Sequence, residues 1–193
     1  MLYSIFKNCF AVIFKLLFRF EAVNAHYVPA EGPVVLCSNH RSNFDPPMVG
    51  CLLKRQIRFM AKEELFRVPV VGWLITKWGA YPVKRGGVSK ESIRLSMQLL
   101  KEGNILGIFP EGSRSNSGGM GKKGASSLAI KTGATVIPAA IVGDYKFFRK
   151  MKVIYGPPVD LSEFAEISGP EALEQATEKI MKQIRALAKQ HQI

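Results

Sequence analysis

A chain of 193 residues with 47% hydrophobic and 22% charged side chains has room for one domain with a substantial core, and that composition excludes a disordered, fibrous or collagenous protein. Lys and Arg number 27 against 15 Asp and Glu, a formal net charge of +12, so the partners to consider are anionic: nucleic acid, anionic lipid or phosphorylated small molecules. Cys9, Cys37 and Cys51 are odd in number and form no CxxC pair or Cys/His cluster, which argues against a disulfide scaffold or a zinc site.

Residues 2 to 20, LYSIFKNCFAVIFKLLFRF, are interrupted by Lys7, Lys15 and Arg19, whereas a spanning helix needs about 20 mostly apolar residues. At about 100° per residue, Ser4, Lys7, Asn8, Ala11, Lys15 and Arg19 fall within about 120° of a helix, with Ile5, Phe6, Phe10, Ile13, Phe14, Leu17 and Phe18 around the rest. Such an aromatic-rich helix with a cationic stripe suits the headgroup region of an anionic membrane; a helix packed on the domain's own core is the alternative. The internal charges and the lack of a small-residue cleavage site before Glu21 argue against a signal peptide. Residues 1 to 24 are therefore read as a membrane-association helix and residues 25 to 193 as a single domain.

Short apolar runs follow: PVVLCSN at 33 to 39, IRFMAK at 57 to 62, AYPVK at 80 to 84, ILGIFP at 105 to 110 and TVIPAAIVG at 135 to 143. They read as buried strands. Between the third and fourth, Ser89 is placed to cap a helix with Ile93, Met97 and Leu100 facing inward and Gly103 ending it. A second helix runs through Ser126 to Thr132, closed by Gly133, and a polar helix from about Pro170 to Gln190 completes the chain. Alternating strands and helices predict an α/β domain, a mostly parallel mixed sheet flanked by helices. Residues 113 to 124, SRSNSGGMGKKG, have the composition of a long mobile loop.

Three segments carry candidate chemistry. In Asn39-His40-Arg41-Ser42-Asn43-Phe44-Asp45, His40 stands where a strand runs out, and Asp45 precedes two prolines suited to starting a helix that Asp45 caps. A five-residue turn folds Asp45 back onto His40, and a carboxylate on one imidazole nitrogen fixes the tautomer and makes the other nitrogen a better base toward a hydroxyl. For such a pair taken alone, a helix cap and a satisfied loop histidine are the commoner explanation. In Phe109-Pro110-Glu111-Gly112-Ser113-Arg114-Ser115, again past a buried strand, Gly112 lets backbone approach a ligand, Ser113 offers a hydroxyl and Arg114 a planar fork for phosphate. The stretch from Gly79 to Gly86 ends a strand with Lys84-Arg85, cations at a rim suited to an anion.

Together and in this order, these segments resemble the glycerolipid acyltransferases, which acylate lysophosphatidic acid and related acceptors, over roughly residues 30 to 160. His40 and Asp45 fall on the family's NHxxxxD pattern, Arg85 on the arginine of its second block, FPEGSRS on its third, with Ser113 where threonine is commoner, and Val136-Ile137-Pro138 on its fourth. The resemblance implies His40 as general base and Asp45 as its orienting partner. It implies Arg85, Glu111, Gly112, Ser113 and Arg114 around the acceptor's phosphate end, and Pro138 in the wall near the acyl chain. It further implies attack by the sn-2 hydroxyl of 1-acylglycerol 3-phosphate on an acyl-CoA or acyl-carrier-protein thioester, no cofactor and no metal, and attachment to an anionic membrane surface, expected at the cytoplasmic face. Sibling reactions on another lysophospholipid or on glycerol 3-phosphate use the same chemistry.

Two other classes fit less well. A nucleic-acid-binding module wants basic residues interleaved with exposed aromatics or a helix-turn-helix pattern, and neither occurs, so no nucleic-acid partner is expected. A lipase or esterase wants a GxSxG elbow, which is absent.

Overall fold

A computed structural model describes residues 2–83, 89–112, 121–165, 167 and 169–193. In chain order the elements are α1 (Leu2–Phe18), β1 (Glu21–Val23), β2 (Val34–Ser38), α2 (Asp45–Gly50), β3 (Ile57–Lys62), α3 (Glu63–Phe66), α4 (Val71–Trp78), β4 (Ala80–Val83), α5 (Lys90–Lys101), β5 (Ile105–Ile108), α6 (Gly124–Thr132), β6 (Thr135–Val142), β7 (Lys152–Tyr155) and α7 (Pro170–Gln190). The strands form one sheet in the order β1-β7-β6-β2-β5-β3-β4. Pairing is parallel except between β6 and β7. The α/β fold with a mostly parallel mixed sheet is as the sequence predicts, and all five expected strands form. Two short ones, β1 and β7, were not foreseen.

Every residue of β2 is buried, as a strand covered on both faces requires. Val34, Leu36, Ile137, Ala139 and Ile141 point to the layer that holds Phe14 and Phe18 of α1, Met48 and Val49 of α2 and Trp78 of α4. Val35, Cys37, Leu106 and Val136 point to the opposite layer, with Leu100 of α5, Leu128 of α6 and Ala176, Ile180 and Ile184 of α7. Register places Cys37 of β2 between Ile108 of β5 and Pro138 of β6. The carboxyl ends of β2 and β5 therefore open side by side, where open α/β sheets place their ligands.

Ser89 caps α5 as expected, its Oγ accepting the Ser92 N–H at 3.1 Å, and Gly103 takes the left-handed conformation that ends it, at φ 77°. The inward face is turned from the expected one. Ser92, Ser96 and Leu100 are buried, while Ile93 is 39% exposed. The Ser96 hydroxyl bonds the Tyr81 hydroxyl at 2.8 Å and donates to the Ser92 carbonyl at 2.7 Å. Two small, satisfied hydroxyl residues let the helix settle close to β4, a contact that counting apolar side chains overlooks.

α1 divides its wide apolar arc between a packed and an exposed face. Tyr3, Phe6, Phe10, Phe14 and Phe18, at helical spacing, pack toward the sheet, and Phe10 and Tyr3 meet the Trp78 ring edge-on at 5.0 and 5.6 Å. Ile5, Val12, Ile13 and Leu16 face outward, Leu16 at 69% exposure. Ser4, Asn8, Lys15 and Arg19 are exposed beside them. Lys7 turns inward and donates to the Leu53 carbonyl at 3.0 Å. The inner face is thus that of a helix packed on the domain's own core, and the outer face leaves apolar and cationic residues exposed side by side.

Candidate active site

His40 leaves the end of β2 and its Nδ1 meets Asp45 Oδ2 at 2.8 Å. The sequence expectation that Asp45 caps α2 is corrected. Asp45 is the first residue of that helix, and no side-chain cap bond forms. Its buried carboxylate turns back instead, where Oδ2 also accepts the N–H groups of Arg41 at 2.5 Å and Ser42 at 2.7 Å, and Oδ1 accepts the Tyr145 hydroxyl. Four donors converge on one carboxylate, so a fully buried anion is satisfied.

The backbone on either side of His40 is also fixed. Asn39 Oδ1 accepts the Ile141 N–H at 2.8 Å while its Nδ2 donates to the Ile141 carbonyl at 3.0 Å. The amide thereby extends the β2–β6 ladder one step past the last paired residues. The His40 N–H donates to Glu111 Oε2 at 2.9 Å, and Glu111 is itself buried.

The imidazole lies flat on Phe109, with centroids 4.2 Å apart and planes 19° apart, and Phe109 stacks in turn on Phe59 at 5.8 Å. Gly107 makes room for this pile, because a β-carbon there would stand 2.2 Å from the Phe59 ring. His40 keeps 20% of its side chain exposed, and Nε2 has no partner among the described residues. The pair thus leaves the second imidazole nitrogen in a fixed orientation, the arrangement that general-base chemistry toward a hydroxyl requires.

Tyr145 is held as a neutral donor: burial first, then the neighbouring Asp45 carboxylate, raise its pKa above the ordinary 10.0. Cys37, three residues before His40, is no nucleophile, since burial pushes its thiol up to about 12. No cluster of three or more His, Cys, Asp or Glu suited to a metal occurs among the described residues.

Of the eight residues singled out from sequence, the structure brings together His40, Asp45, Glu111 and Gly112. Gly112 takes φ 72°, and the Lys122 side chain lies across it, close enough that a β-carbon would meet its Cε at 2.5 Å. Arg85, Ser113 and Arg114 lie outside the described residues, as does most of the expected loop at 113 to 124. Pro138 is buried within β6 and, by alternation with Ile137 and Ala139, points to the α7 layer, away from His40. Its ring lies beside Gly156 and close to Leu187 of α7. Asn39, Phe109, Lys122 and Tyr145 have places at the site that were not assigned from sequence. Asn39 and Phe109 stand inside the quoted motifs, whereas Tyr145 had no local signal.

The acyltransferase family model matches residues 19–142, and the chain belongs to that family. It is 34% identical over 192 residues, 96% of either chain, to the 1-acyl-sn-glycerol-3-phosphate acyltransferase of Bacillus subtilis. The crystal structure of the 1-acyl-sn-glycerophosphate (LPA) acyltransferase PlsC from Thermotoga maritima superposes with a TM-score of 0.71 at 26% identity, covering 96% of this chain and 78% of that one. The lyso-ornithine lipid O-acyltransferase of Pseudomonas aeruginosa is 36% identical over 115 residues, 56% of this chain and 43% of that one.

Proposed function

We propose that this acyltransferase moves a fatty acyl group from a thioester, acyl-CoA or acyl-carrier protein, to the sn-2 hydroxyl of 1-acylglycerol 3-phosphate, giving phosphatidic acid. The observation that carries the reading is the His40–Asp45 pair at the open end of β2, with Nδ1 held at 2.8 Å and Nε2 turned outward. The hydroxyl oxygen attacks the thioester carbonyl carbon as Nε2 takes its proton. The tetrahedral intermediate then collapses, the carbon–sulfur bond breaks, and the proton passes to the departing sulfur. A thioester is already activated, so no acyl-enzyme is needed.

Asp45 orients the imidazole and stabilises its cation, while Glu111 acts through the His40 backbone. Arg85, Gly112, Ser113 and Arg114 are assigned by the family motifs to the acceptor's phosphate end, and the Lys122 side chain lies across Gly112. The similarity to a lyso-ornithine lipid acyltransferase keeps a second reading open, in which the acceptor is another lysolipid with the same free hydroxyl. Turnover of a panel of lysolipid acceptors with one acyl-CoA tests the choice, and preference for a phosphate-free headgroup would overturn the first reading.

The outward strip of α1, flanked by Lys15 and Arg19, supports attachment to the interface of an anionic membrane. No helix among the described residues is long and apolar enough to cross one. We place the enzyme at the cytoplasmic face, where soluble thioester donors meet lipid acceptors.

A further inference from the structure

The segment between β6 and β7 reads Asp144-Tyr145-Lys146-Phe147-Phe148-Arg149. Phe147 and Phe148 are 68% and 72% exposed, on the turn between β6 and β7. Phe148 holds φ 63°, a left-handed conformation uncommon for a bulky residue. The turn is firmly seated on α1. The Phe148 N–H donates to the Leu17 carbonyl at 2.6 Å, the Met151 N–H to the Phe18 carbonyl at 3.0 Å, and the Phe147 ring stacks on Phe18 at 6.0 Å.

The two exposed rings therefore stand at the C-terminal end of α1, where its outward strip finishes in Leu16. Phe44, 52% exposed, lies between them and the dyad, 6.3 Å from both Phe14 and Tyr145. Lys146 and Arg149 bracket the rings. Lys146 is only loosely paired with Asp144 at 3.9 Å between exposed side chains, and Arg149 has no ion-pair partner among the described residues. Exposed aromatics between cations are the composition of a segment that enters the headgroup region of an anionic bilayer.

We propose that Lys146–Phe147–Phe148–Arg149 is a second membrane contact, a wedge that inserts beside α1 and holds the dyad at the height of the lipid headgroups. The proposal rests on the membrane reading of α1. Tyr145, the residue before the wedge, bonds Asp45 directly, so the bilayer surface and the catalytic pair are set by one short segment. An acceptor then reaches His40 with its acyl chain still in the bilayer.

The test is flotation of the full chain with vesicles of phosphatidylcholine alone or mixed with phosphatidylglycerol. A Phe147→Ser/Phe148→Gly double variant keeps the backbone unstrained, since glycine accepts a positive φ, and its melting temperature should match the wild type. It should bind mixed vesicles about tenfold or more weakly, in keeping with the loss of two aromatic side chains that insert into the bilayer. Lys146→Gln/Arg149→Gln should weaken binding to the mixed vesicles and not to phosphatidylcholine. If the aromatic double variant floats like wild type while Leu16→Gln does not, the wedge is refuted and α1 alone is the seat. If wild type binds neither vesicle, the membrane reading itself falls and takes the wedge with it.

Discussion

The main-chain N–H of His40 donates to the buried carboxylate of Glu111 at 2.9 Å, tying the residue after β2 to the residue after β5. In the proposed mechanism this bond makes Glu111 a positioning residue for the general base, since its carboxylate is buried. Glu111→Gln keeps an acceptor oxygen and should retain most activity. Glu111→Ala leaves a buried N–H unsatisfied, at a cost of about 1–3 kcal/mol, and should lower kcat with little change in the acceptor's KM. A rise in KM alone would place Glu111 on the substrate instead.

Tyr145 should tune the base through Asp45. Tyr145→Phe removes one donor from the carboxylate and leaves more of its charge facing the imidazole, which stabilises the imidazolium. The acid limb of kcat/KM against pH is then expected to move to higher pH, with a several-fold loss at neutral pH. A fall in rate with an unmoved limb would mean that Tyr145 only packs.

The two faces of α1 are expected to separate stability from vesicle binding. Phe14 is 2% exposed, and Phe14→Ala should cost about 3–5 kcal/mol in urea unfolding, as for other large-to-small core changes. Leu16→Gln should leave unfolding within about 0.5 kcal/mol of wild type and weaken vesicle binding.

Stability should fall on the alkaline side. Burial raises the Cys37 and Cys51 thiols from 9.0 to about 12 and the Tyr81 phenol from 10.0 to about 12. Folded pKa values above the unfolded ones mean that the unfolded chain loses these protons first. Their contribution is complete below about pH 9 and is lost progressively between pH 9 and 12. Melting temperatures across pH 8 to 11 should decline, less steeply in Cys37→Ala than in wild type, measured from each protein's own value at pH 8.

The motifs made the dyad legible because His40 and Asp45 are five residues apart and prolines 46 and 47 announce the helix that carries the aspartate. The five main strands announced themselves by short, mostly apolar runs. β7 did not: Lys152 to Tyr155 follows a basic, aromatic turn, and its strand character comes from pairing with β6. The remaining partners of the site are joined over distance. Glu111 meets His40 across 71 positions and Tyr145 meets Asp45 across 100, contacts that the folded sheet creates and no local spacing announces. The inward face of α5 escapes apolar patterning for a related reason, since Ser96 is buried by pairing its hydroxyl with Tyr81, and Ser92 by pairing with the capping Ser89, rather than by hydrophobicity.

The most direct test is to incubate wild type and His40→Ala with vesicles containing 1-acylglycerol 3-phosphate and palmitoyl-CoA, following thiol release and phosphatidic acid together. Wild type should form both products in equal amounts, and the variant should lose on the order of a hundredfold or more, as expected for a general base. A variant that folds, binds vesicles and turns over within a few-fold of wild type would contradict the assignment of His40, and with it the mechanism.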